Sequence, residues 1–233
     1  MSSFTSNILE FLEQQIDVYG DEIALAKPVM TAVNSDDSDS PGNVTKDWAS
    51  SSSLDELDAN NNQCTRCRLF KSRNHFVFGE GNPSSDLVVV GEAPGAEEDR
   101  QGKPFVGRAG ELLTKMLAAI ELQRSDVYIC NIIKCRPPQN RDPQADEIET
   151  CLPYLEKQLE LIQPKFILCL GRIAAQTLLQ TSRPLSQLRT DWHEFAGVTL
   201  KVTYHPAALL RNPQFKRGAW EDLKQLKARL EKS

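Results

Sequence analysis

The chain has 233 residues, of which 40% are hydrophobic, and a formal net charge of −5 at pH 7. That length is sufficient for one α/β domain with a buried core and an additional segment. The sequence shows neither a secretory signal nor an apolar run long enough to cross a bilayer, and its six cysteines are too few for a disulfide scaffold. We therefore expect a soluble, cytoplasmic protein.

Charge is distributed unevenly along the chain. Residues 1–60 hold twelve acidic and two basic side chains, a net charge of −10, so residues 61–233 carry a net charge of +5. A modest positive surplus permits contact with a phosphate backbone, and an acidic tail would weaken or tune that contact.

The N-terminal part is predicted to be a helix on a tether. Between residues 4 and 20, apolar side chains recur at helical spacing, which predicts an amphipathic helix within a segment 1–33. The stretch 34–60 is acidic and rich in Ser and Asp, and we expect a flexible linker because it cannot bury enough apolar surface to offset chain entropy. The helix either folds back on the domain or docks a partner protein, and the apolar stripe is compatible with both.

The pattern in residues 61–233 alternates between strand and helix. The predicted strands cover residues 86–91, 127–133, 166–170 and 198–203, and the predicted helices cover residues 109–122, 145–161, 172–179 and 219–230. Such alternation predicts a parallel sheet covered by helices. Active sites of open parallel sheets lie beyond the carboxyl ends of the strands, which places the loops 91–99, 131–140 and 205–212 on one rim.

Four cysteines come from three separated segments of this domain: Cys64, Cys67, Cys135 and Cys151. Together their thiolates would attach the segment ahead of the first strand to the domain, as ligands of either tetrahedral zinc or a four-iron cluster. The spacing does not choose between the two, and an alternative is that only the first pair binds a metal, or that none does. Cys130 and Cys169 lie inside predicted strands and are interpreted as small buried hydrophobes.

The loop after the first predicted strand combines glycine, proline and carboxylates. It contains Glu92 and Glu98, but it lacks the Lys-Ser/Thr of a P-loop and the three-glycine dinucleotide pattern, so a nucleotide-binding interpretation is set aside. Phe105 follows in a Gly- and Pro-rich stretch, which is an unusual place for a core aromatic residue. Its ring is either packed in the core or a platform on which a flat ligand stacks.

Two further polar side chains stand at strand ends. Asn131 lies at the end of the second predicted strand, where its amide either matches the edge of a nucleobase or caps a local turn. His205 follows the last predicted strand and is restricted by Pro206. A histidine at this position suits hydrogen bonding to a developing anion.

The segment after His205 mixes apolar and basic side chains. It includes Leu209, Arg211, Lys216 and Arg217. We interpret these residues as a wedge-and-clamp surface on DNA, with a solvated basic turn as the alternative.

Several of these stretches together match one family. They are Gly-Glu-Ala-Pro-Gly at 91–95, Gly-Lys-Pro-Phe-Val-Gly at 102–107, Asn-Ile-Ile-Lys-Cys-Arg-Pro-Pro at 131–138, Gly171, and His-Pro at 205–206 with Leu-Leu-Arg-Asn-Pro at 209–213. In these motifs and their order, the chain resembles the iron–sulfur uracil-DNA glycosylases, family four of their superfamily. The resemblance runs from about residue 63 to the C-terminus and does not cover residues 1–60.

The resemblance implies a three-layer α/β/α sandwich around a four-stranded parallel sheet, with residues 61–233 as the catalytic domain. It implies one [4Fe-4S] cluster on the four cysteines, which decides for iron over zinc. The implied activity is hydrolysis of the N-glycosidic bond of a flipped-out deoxyuridine in single- or double-stranded DNA. The product is an abasic site, an intermediate of base excision repair.

The resemblance also implies how uracil is held. Phe105 lies against the face of the base, and Asn131 reads its polar edge. His205 stabilises the uracil anion that forms when the bond breaks. We expect a monofunctional enzyme without lyase activity, because no free amine is placed to form a Schiff base.

The remaining rim residues are assigned to the sugar and the water. Glu92 and Glu98 are the carboxylates that orient water or support the cationic sugar, and the sequence does not rank one above the other. Backbone groups of Ala93 and Pro94 hold the water, and Asn140 assists at the same rim.

Two related branches are distinguished by their motifs. The branch that becomes covalently attached to uracil DNA has an inserted basic segment with its own histidine, which residues 104–110 lack. The fifth family replaces the first-motif Glu with an apolar residue, whereas Glu92 is present here. Two other functions stay as alternatives: a non-catalytic DNA-binding module with a structural cluster, and a redox carrier in which the rim residues share no task.

Overall fold

The computed structural model describes residues 50–232. The amphipathic helix predicted at residues 4–20 and most of the predicted linker lie outside this range. The end of the linker range forms a helix, α1 (Leu54–Asn61). Ser53 caps its first turn, because the Ser53 Oγ accepts the Glu56 N–H at 3.2 Å. Leu57 on this helix is fully buried. Leu54 packs against the core cluster to which Leu57 belongs. That part of the linker prediction was wrong, because two apolar side chains with a good cap hold a short helix on the domain.

A six-stranded sheet forms the centre of the fold. Its strands are β1 (Glu80–Gly81), β2 (Leu87–Gly91), β3 (Tyr128–Asn131), β4 (Phe166–Leu170), β5 (Trp192–Phe195) and β6 (Val198–Thr203). Their order is β1-β3-β2-β4-β6-β5, in which the four central strands are parallel and the two edge strands are antiparallel. The prediction of a four-stranded sheet was therefore wrong in number, because it omitted both edge strands.

The helices after α1 surround this sheet. They are α2 (Ala96–Gln101), α3 (Arg108–Ala119), α4 (Ala145–Ile162), α5 (Arg172–Leu178), α6 (Leu185–Leu188), α7 (Pro206–Arg211) and α8 (Lys216–Leu230). Single 3-10 turns cover Arg68–Lys71, Arg124–Asp126, Pro138–Asn140 and Pro213–Phe215. Within residues 50–232, no helix has the length and apolarity that a bilayer-spanning segment requires.

The sheet lies between two layers of helices. Successive side chains of a strand point to opposite faces, so Val88 and Val90 of β2 share a core cluster with α4 and α5. Leu87 and Val89 share the other core cluster with α3 and α8. Every residue of β2 and β4 is buried, as expected for parallel strands covered on both faces. The fold is an α/β/α sandwich in three layers, as predicted.

The four parallel strands end at the same edge of the sheet. Gly91 pairs with Asn131 across β2 and β3, and Leu170 pairs with Thr203 across β4 and β6. The loops that leave these residues therefore meet at one edge, where open parallel sheets bind their ligands.

Candidate active site

A cavity of about 530 Å³ opens at this edge of the sheet. Residues from the loops 91–99, 131–140 and 205–212 all line it, so the prediction that they share one rim is confirmed. The predicted catalytic and substrate-binding residues all take part in the lining: Glu92, Ala93, Pro94, Glu98, Phe105, Asn131, Asn140 and His205. The volume is in the range of sites that hold a small organic ligand.

Close contact between an aromatic ring and an amide at this site requires a glycine. Gly91 ends β2, and a Cβ atom there would overlap Asn131 Oδ1 and lie 2.5 Å from Phe105 Cζ. Asn131 and Phe105 are both buried, so neither side chain has open space into which to withdraw. Gly91 therefore allows the ring and the amide to share one narrow space.

Phe105 has an unusual backbone conformation. Its φ angle is 52°, in the left-handed region that favours glycine, and its side chain is buried. The centroid of its ring lies 5.6 Å from that of His205, with 35° between the two planes. The ring belongs to a core cluster, as one of the two interpretations predicted, and it also lines the cavity.

Asn131 carries a polar atom without a partner. It ends β3 and is 1% exposed, and its Oδ1 has no hydrogen-bond partner among residues 50–232. Buried polar atoms are normally paired, because leaving one unpaired costs about 1–3 kcal/mol. An acceptor left unpaired beside a cavity is therefore suited to a donor that a ligand brings.

His205 is arranged as a hydrogen-bond donor. It caps α7, and its Nδ1 accepts the Ala207 N–H at 3.2 Å, so the neutral ring carries its proton on Nε2. Loss of solvent and the nearby Arg211 lower the pKa of His205 to about 4, against a smaller opposing effect of Glu98. The imidazole is therefore neutral at pH 7. Gly171, with a φ of 90°, makes room for it, since a Cβ there would lie 2.9 Å from the His205 Cβ.

The two carboxylates of the first loop have different surroundings. Burial and the negative charge of Asp142 raise the pKa of Glu92 to about 7, while Arg172 opposes the shift. The Glu92 carboxyl group has no hydrogen-bond partner among the described residues. Glu98 Oε1 instead accepts two consecutive backbone N–H groups after Phe105, both at 2.9 Å. Glu98 therefore holds the Phe105 loop, whereas Glu92 faces the cavity with a raised pKa.

Three charged residues of the cavity lining were not predicted. Arg141 and Asp142 follow the loop after β3, and Arg172 begins α5 directly after β4. Asp142 pairs with Arg172 at 2.8 Å, and Arg141 pairs with Glu147 on α4 at 2.6 Å. Applying the strand-end rule to β4 as well would have identified Arg172, whereas nothing in the pattern marked the other two.

Asn140 lies on the outer part of the same rim. It is exposed, its φ is 54°, and its Oδ1 accepts the Arg136 Nε–H at 2.8 Å. Its oxygen is thus engaged by a neighbouring side chain, which leaves the amide N–H groups as the part suited to a ligand.

Two of the four residues predicted to contact DNA lie inside the protein. Leu209 is 2% exposed, because it lies on the inner face of α7 and packs in the same core cluster as α3 and α8. Lys216 is 8% exposed, and burial together with Lys115 lowers its pKa. The prediction of Leu209 and Lys216 as surface residues was therefore wrong.

The exposed apolar and basic side chains of this segment are Leu210, Arg211 and Arg217. Leu210 is 37% exposed, and among residues 50–232 no other large hydrophobic side chain is classed as exposed. Arg211 also lines the cavity. An exposed apolar side chain thus stands next in sequence to an arginine of the cavity lining.

The four cysteines predicted as ligands influence one another electrostatically. Burial raises the pKa of Cys135 to about 11 and that of Cys151 to about 12, and other thiols of the set add to both shifts. Cys64 and Cys67 are partly exposed. Within residues 50–232, however, no three or more His, Cys, Asp or Glu side chains are arranged to hold a metal ion.

Three of these sulfur atoms receive hydrogen bonds. Tyr154 Oη donates to Cys64 Sγ at 3.2 Å, Arg73 Nη1 donates to Cys135 Sγ at 3.1 Å, and the Lys134 N–H lies 3.3 Å from Cys151 Sγ. Donors of this kind stabilise negative charge on sulfur.

The chain is similar over most of its length to proteins of one kind. The family model described as the uracil DNA glycosylase superfamily matches residues 78–224. A type-4 uracil-DNA glycosylase of Archaeoglobus fulgidus is 46% identical over 182 residues, which are 75% of this chain and 92% of that protein. Proteins with the same description in Sulfurisphaera tokodaii and Pyrobaculum aerophilum are 40% and 43% identical, over 75% and 69% of this chain and 84% and 86% of their own length. The chain belongs to the uracil DNA glycosylase superfamily and, within it, to the type-4 uracil-DNA glycosylases.

Proposed function

We propose that this protein is a monofunctional uracil-DNA glycosylase that hydrolyses the N-glycosidic bond of a flipped-out deoxyuridine. The abasic site that it leaves is an intermediate of base excision repair. Family membership supports this substrate class. The observation that carries the proposal is the unpaired Oδ1 of Asn131, buried beside a cavity that Phe105 and His205 also line.

The polar edge of uracil is complementary to an asparagine amide. The N3–H of uracil is a donor for Asn131 Oδ1, and the adjacent O4 accepts from the amide NH2 of the same side chain. Cytosine has an unprotonated N3 and an amino group at this edge, so acceptor would face acceptor and donor would face donor. Buried groups would then be left unpaired, which disfavours cytosine. Phe105 offers the flat apolar surface for the ring.

Reaching this cavity requires the nucleotide to leave the duplex. Extrusion costs a few kcal/mol, and the cost is smallest for a mismatched or single-stranded base. We assign Leu210 to contacts with the neighbouring bases and Arg211 and Arg217 to contacts with phosphates, and the exposure of all three side chains supports this assignment.

Cleavage of the bond puts negative charge on the uracil oxygen. His205 Nε2–H is the donor for that oxygen, and loss of one positioned donor typically lowers the rate by about 10²–10³. Because the pKa of His205 is about 4, the residue acts as a neutral hydrogen-bond donor and not as a general acid.

The sugar acquires positive charge in the same step. We assign Glu92 as the carboxylate that stabilises this charge and orients the attacking water, with Ala93 and Pro94 as backbone contacts for the water. Asn140 assists at the rim. Glu98 acts on the reaction only by holding the Phe105 loop. Among the described residues that line the cavity there is no lysine, in keeping with hydrolysis without lyase chemistry.

We further propose that Cys64, Cys67, Cys135 and Cys151 hold one [4Fe-4S] cluster. The donor set supports this fit: four thiols come from three segments, and Tyr154, Arg73 and the Lys134 backbone donate to three of the sulfur atoms. Ligation would require the side chains to turn towards a common centre. The cluster would be structural, attaching the segment that carries Cys64 and Cys67 to β3 and α4.

The test is incubation with a labelled oligonucleotide that carries one uracil, either single-stranded or opposite guanine, followed by alkali to cut abasic sites. We expect cleavage only after alkali, and a loss of about 10²–10³ in rate for His205→Ala. His193→Gln is the matched control, because His193 lies on β5 and bonds the Leu188 carbonyl outside the cavity. Absence of cleavage by folded wild-type protein would contradict the proposal and favour a DNA-binding module.

A further inference from the structure

The loop that presents Phe105 is held by a residue outside the cavity. We infer that Arg124 is a positioning residue for base excision, which fixes Phe105 in the conformation that meets the base. The inference rests on the proposed function, and it concerns a side chain that touches neither the cavity nor the reacting atoms.

Arg124 binds two consecutive carbonyl groups of the loop. Its Nη1 donates to the Phe105 carbonyl at 3.1 Å, and its Nη2 donates to the Pro104 carbonyl at 2.9 Å. The residue begins the 3-10 turn Arg124–Asp126, just ahead of β3, and its side chain is 26% exposed. A planar guanidinium presents two fixed N–H donors to two carbonyl groups, which a lysine ammonium cannot reproduce.

The same loop is held from the other side through its amides. Glu98 accepts the N–H groups of Val106 and Gly107, so the backbone polar groups on both sides of Phe105 are bound by charged side chains. Gly110 adds a steric limit, because a Cβ there would overlap the Phe105 carbonyl oxygen.

This degree of restraint has a physical reason. A non-glycine residue with φ near 52° is strained, and such a conformation persists only where its surroundings over-determine it. Without the two hydrogen bonds from Arg124, the peptides around Phe105 keep only the two hydrogen bonds to Glu98. The backbone is then able to relax towards negative φ, which moves the ring away from the imidazole of His205.

Glu80 pairs with the guanidinium and also with Lys103, which precedes Pro104 in the loop. Its carboxylate lies 3.8 Å from Arg124 and 3.1 Å from Lys103. Glu80→Gln therefore weakens the ion pairs and keeps the two carbonyl bonds. This variant separates the loss of the ion pairs of Glu80 from the loss of the two hydrogen bonds that Arg124 makes to the loop carbonyls.

The first experiment compares Arg124→Met, Arg124→Lys and Glu80→Gln in single-turnover uracil excision. We expect Arg124→Met to lose on the order of a hundredfold in rate, because small displacements of a positioned group have effects of that size. Arg124→Lys should recover little, and Glu80→Gln should lose much less. Arg100→Met is the matched control, since Arg100 is 66% exposed and pairs with Glu97 on the surface of α2. Near-normal excision by Arg124→Met or Arg124→Lys would overturn the inference.

A double-mutant cycle decides whether Arg124 acts through Phe105. If it does, Arg124→Met has no further effect on the rate once Phe105→Ala is present. A residue that only stabilises the fold would lower the rate by the same factor in both backgrounds, and that result would also overturn the inference. Arg124→Lys serves in the same cycle if Arg124→Met fails to fold.

Hydrogen–deuterium exchange reads the loop without relying on activity. We expect faster exchange of the Val106 and Gly107 amides in Arg124→Met, with α4 unchanged and Arg100→Met like the wild type. If exchange of this loop is the same in Arg124→Met as in the wild type, the positioning role is overturned, whether or not the wild type excises uracil. If exchange is faster in Arg124→Met but the wild-type protein excises no uracil, the positioning of the loop by Arg124 would be supported and the proposed function contradicted.

Discussion

Glu92 lies in the loop after β2 and Glu98 in the helix α2 that follows it, and the two carboxyl groups differ in what surrounds them. Both were predicted from the sequence, which gave no ground for ranking them. What distinguishes the two carboxyl groups is that Glu98 accepts the backbone N–H groups after Phe105. The direction of those N–H groups follows from a strained turn, which the residue pattern does not reveal. Asn131 and His205 were easier to identify, because each stands directly at a strand end.

The raised pKa of Glu92 predicts the pH dependence of the reaction. Glu92 is protonated below about pH 7 and cannot then stabilise a cationic sugar, so excision should become faster as the pH rises through about 7. Single-turnover rates of wild type and Glu92→Gln between about pH 5 and about pH 9 measure this, and the variant should be slow with a flat profile. A flat wild-type profile would contradict the assignment of Glu92. His205 does not confuse the result, because its pKa of about 4 lies below this range.

Helices and strands were predictable where their apolar side chains repeat over several turns or fill a strand. The central strands and the helices α3, α4, α5 and α8 fall within a few residues of the predicted bounds. The edge strands β1 and β5 were missed because one has two residues and the other is only partly buried. Short helices such as α7 carry too few residues for the sequence to show which face turns inward.

Substitution of the two adjacent leucines of α7 should therefore affect different properties, the stability of the fold in one case and excision in the other. Leu209→Ala should lower the free energy of unfolding by about 2–5 kcal/mol, because it leaves a cavity in the core. Leu210→Ala should leave unfolding nearly unchanged and slow excision from duplex DNA more than from a single strand. Chemical denaturation and parallel excision assays measure both effects. A stable Leu209→Ala protein that is slow only on duplex DNA would restore the original assignment.

A buried ionic group joins β6 to α8. Lys201 Nζ donates to the Arg189 carbonyl at 2.6 Å, and Asp222 Oδ2 accepts from Arg189 Nε at 2.8 Å and from Thr203 Oγ1 at 2.7 Å. The strand pattern predicted β6 correctly but did not predict that its lysine would be fully buried. The reason is that the partners of Lys201 come from distant segments.

Removing the carboxylate from this group should destabilise the protein strongly. We expect Asp222→Ala to lower the free energy of unfolding by about 3–5 kcal/mol, since it leaves buried positive charges without their partner. Glu221→Ala is the control, because Glu221 pairs with Lys224 on the surface and should contribute about 0–1 kcal/mol. Equal midpoints of urea denaturation for the two variants would contradict this account.

At the scale of the whole molecule, the proposed cluster would link parts that are far apart in sequence. Cys64 and Cys67 precede the sheet, Cys135 follows β3, and Cys151 lies within α4. The sequence predicted the set of thiols, but spacing alone did not distinguish iron from zinc. Coordination is a property of how four side chains turn in space, which neither spacing nor composition specifies.

Loss of one ligand should release this link. We expect purified protein to be brown, with broad visible absorbance and four iron atoms per cluster. Cys64→Ser should lose the colour, unfold at a lower temperature and become sensitive to protease near residues 62–72. Cys130→Ala should keep the colour, because Cys130 lies inside β3 within the core. A colourless wild-type protein that contains one zinc ion would contradict the iron assignment.

The left-handed backbone of Phe105 sets local strain against core packing at one position. Glycine adopts this φ without strain, a relief of about 1–3 kcal/mol. Phe105 is buried in a core cluster, however, and removal of its ring should cost about 3–5 kcal/mol. The ring that is proposed to face the base therefore also stabilises the fold, so a screen for stability alone should retain Phe105 and with it the capacity for excision.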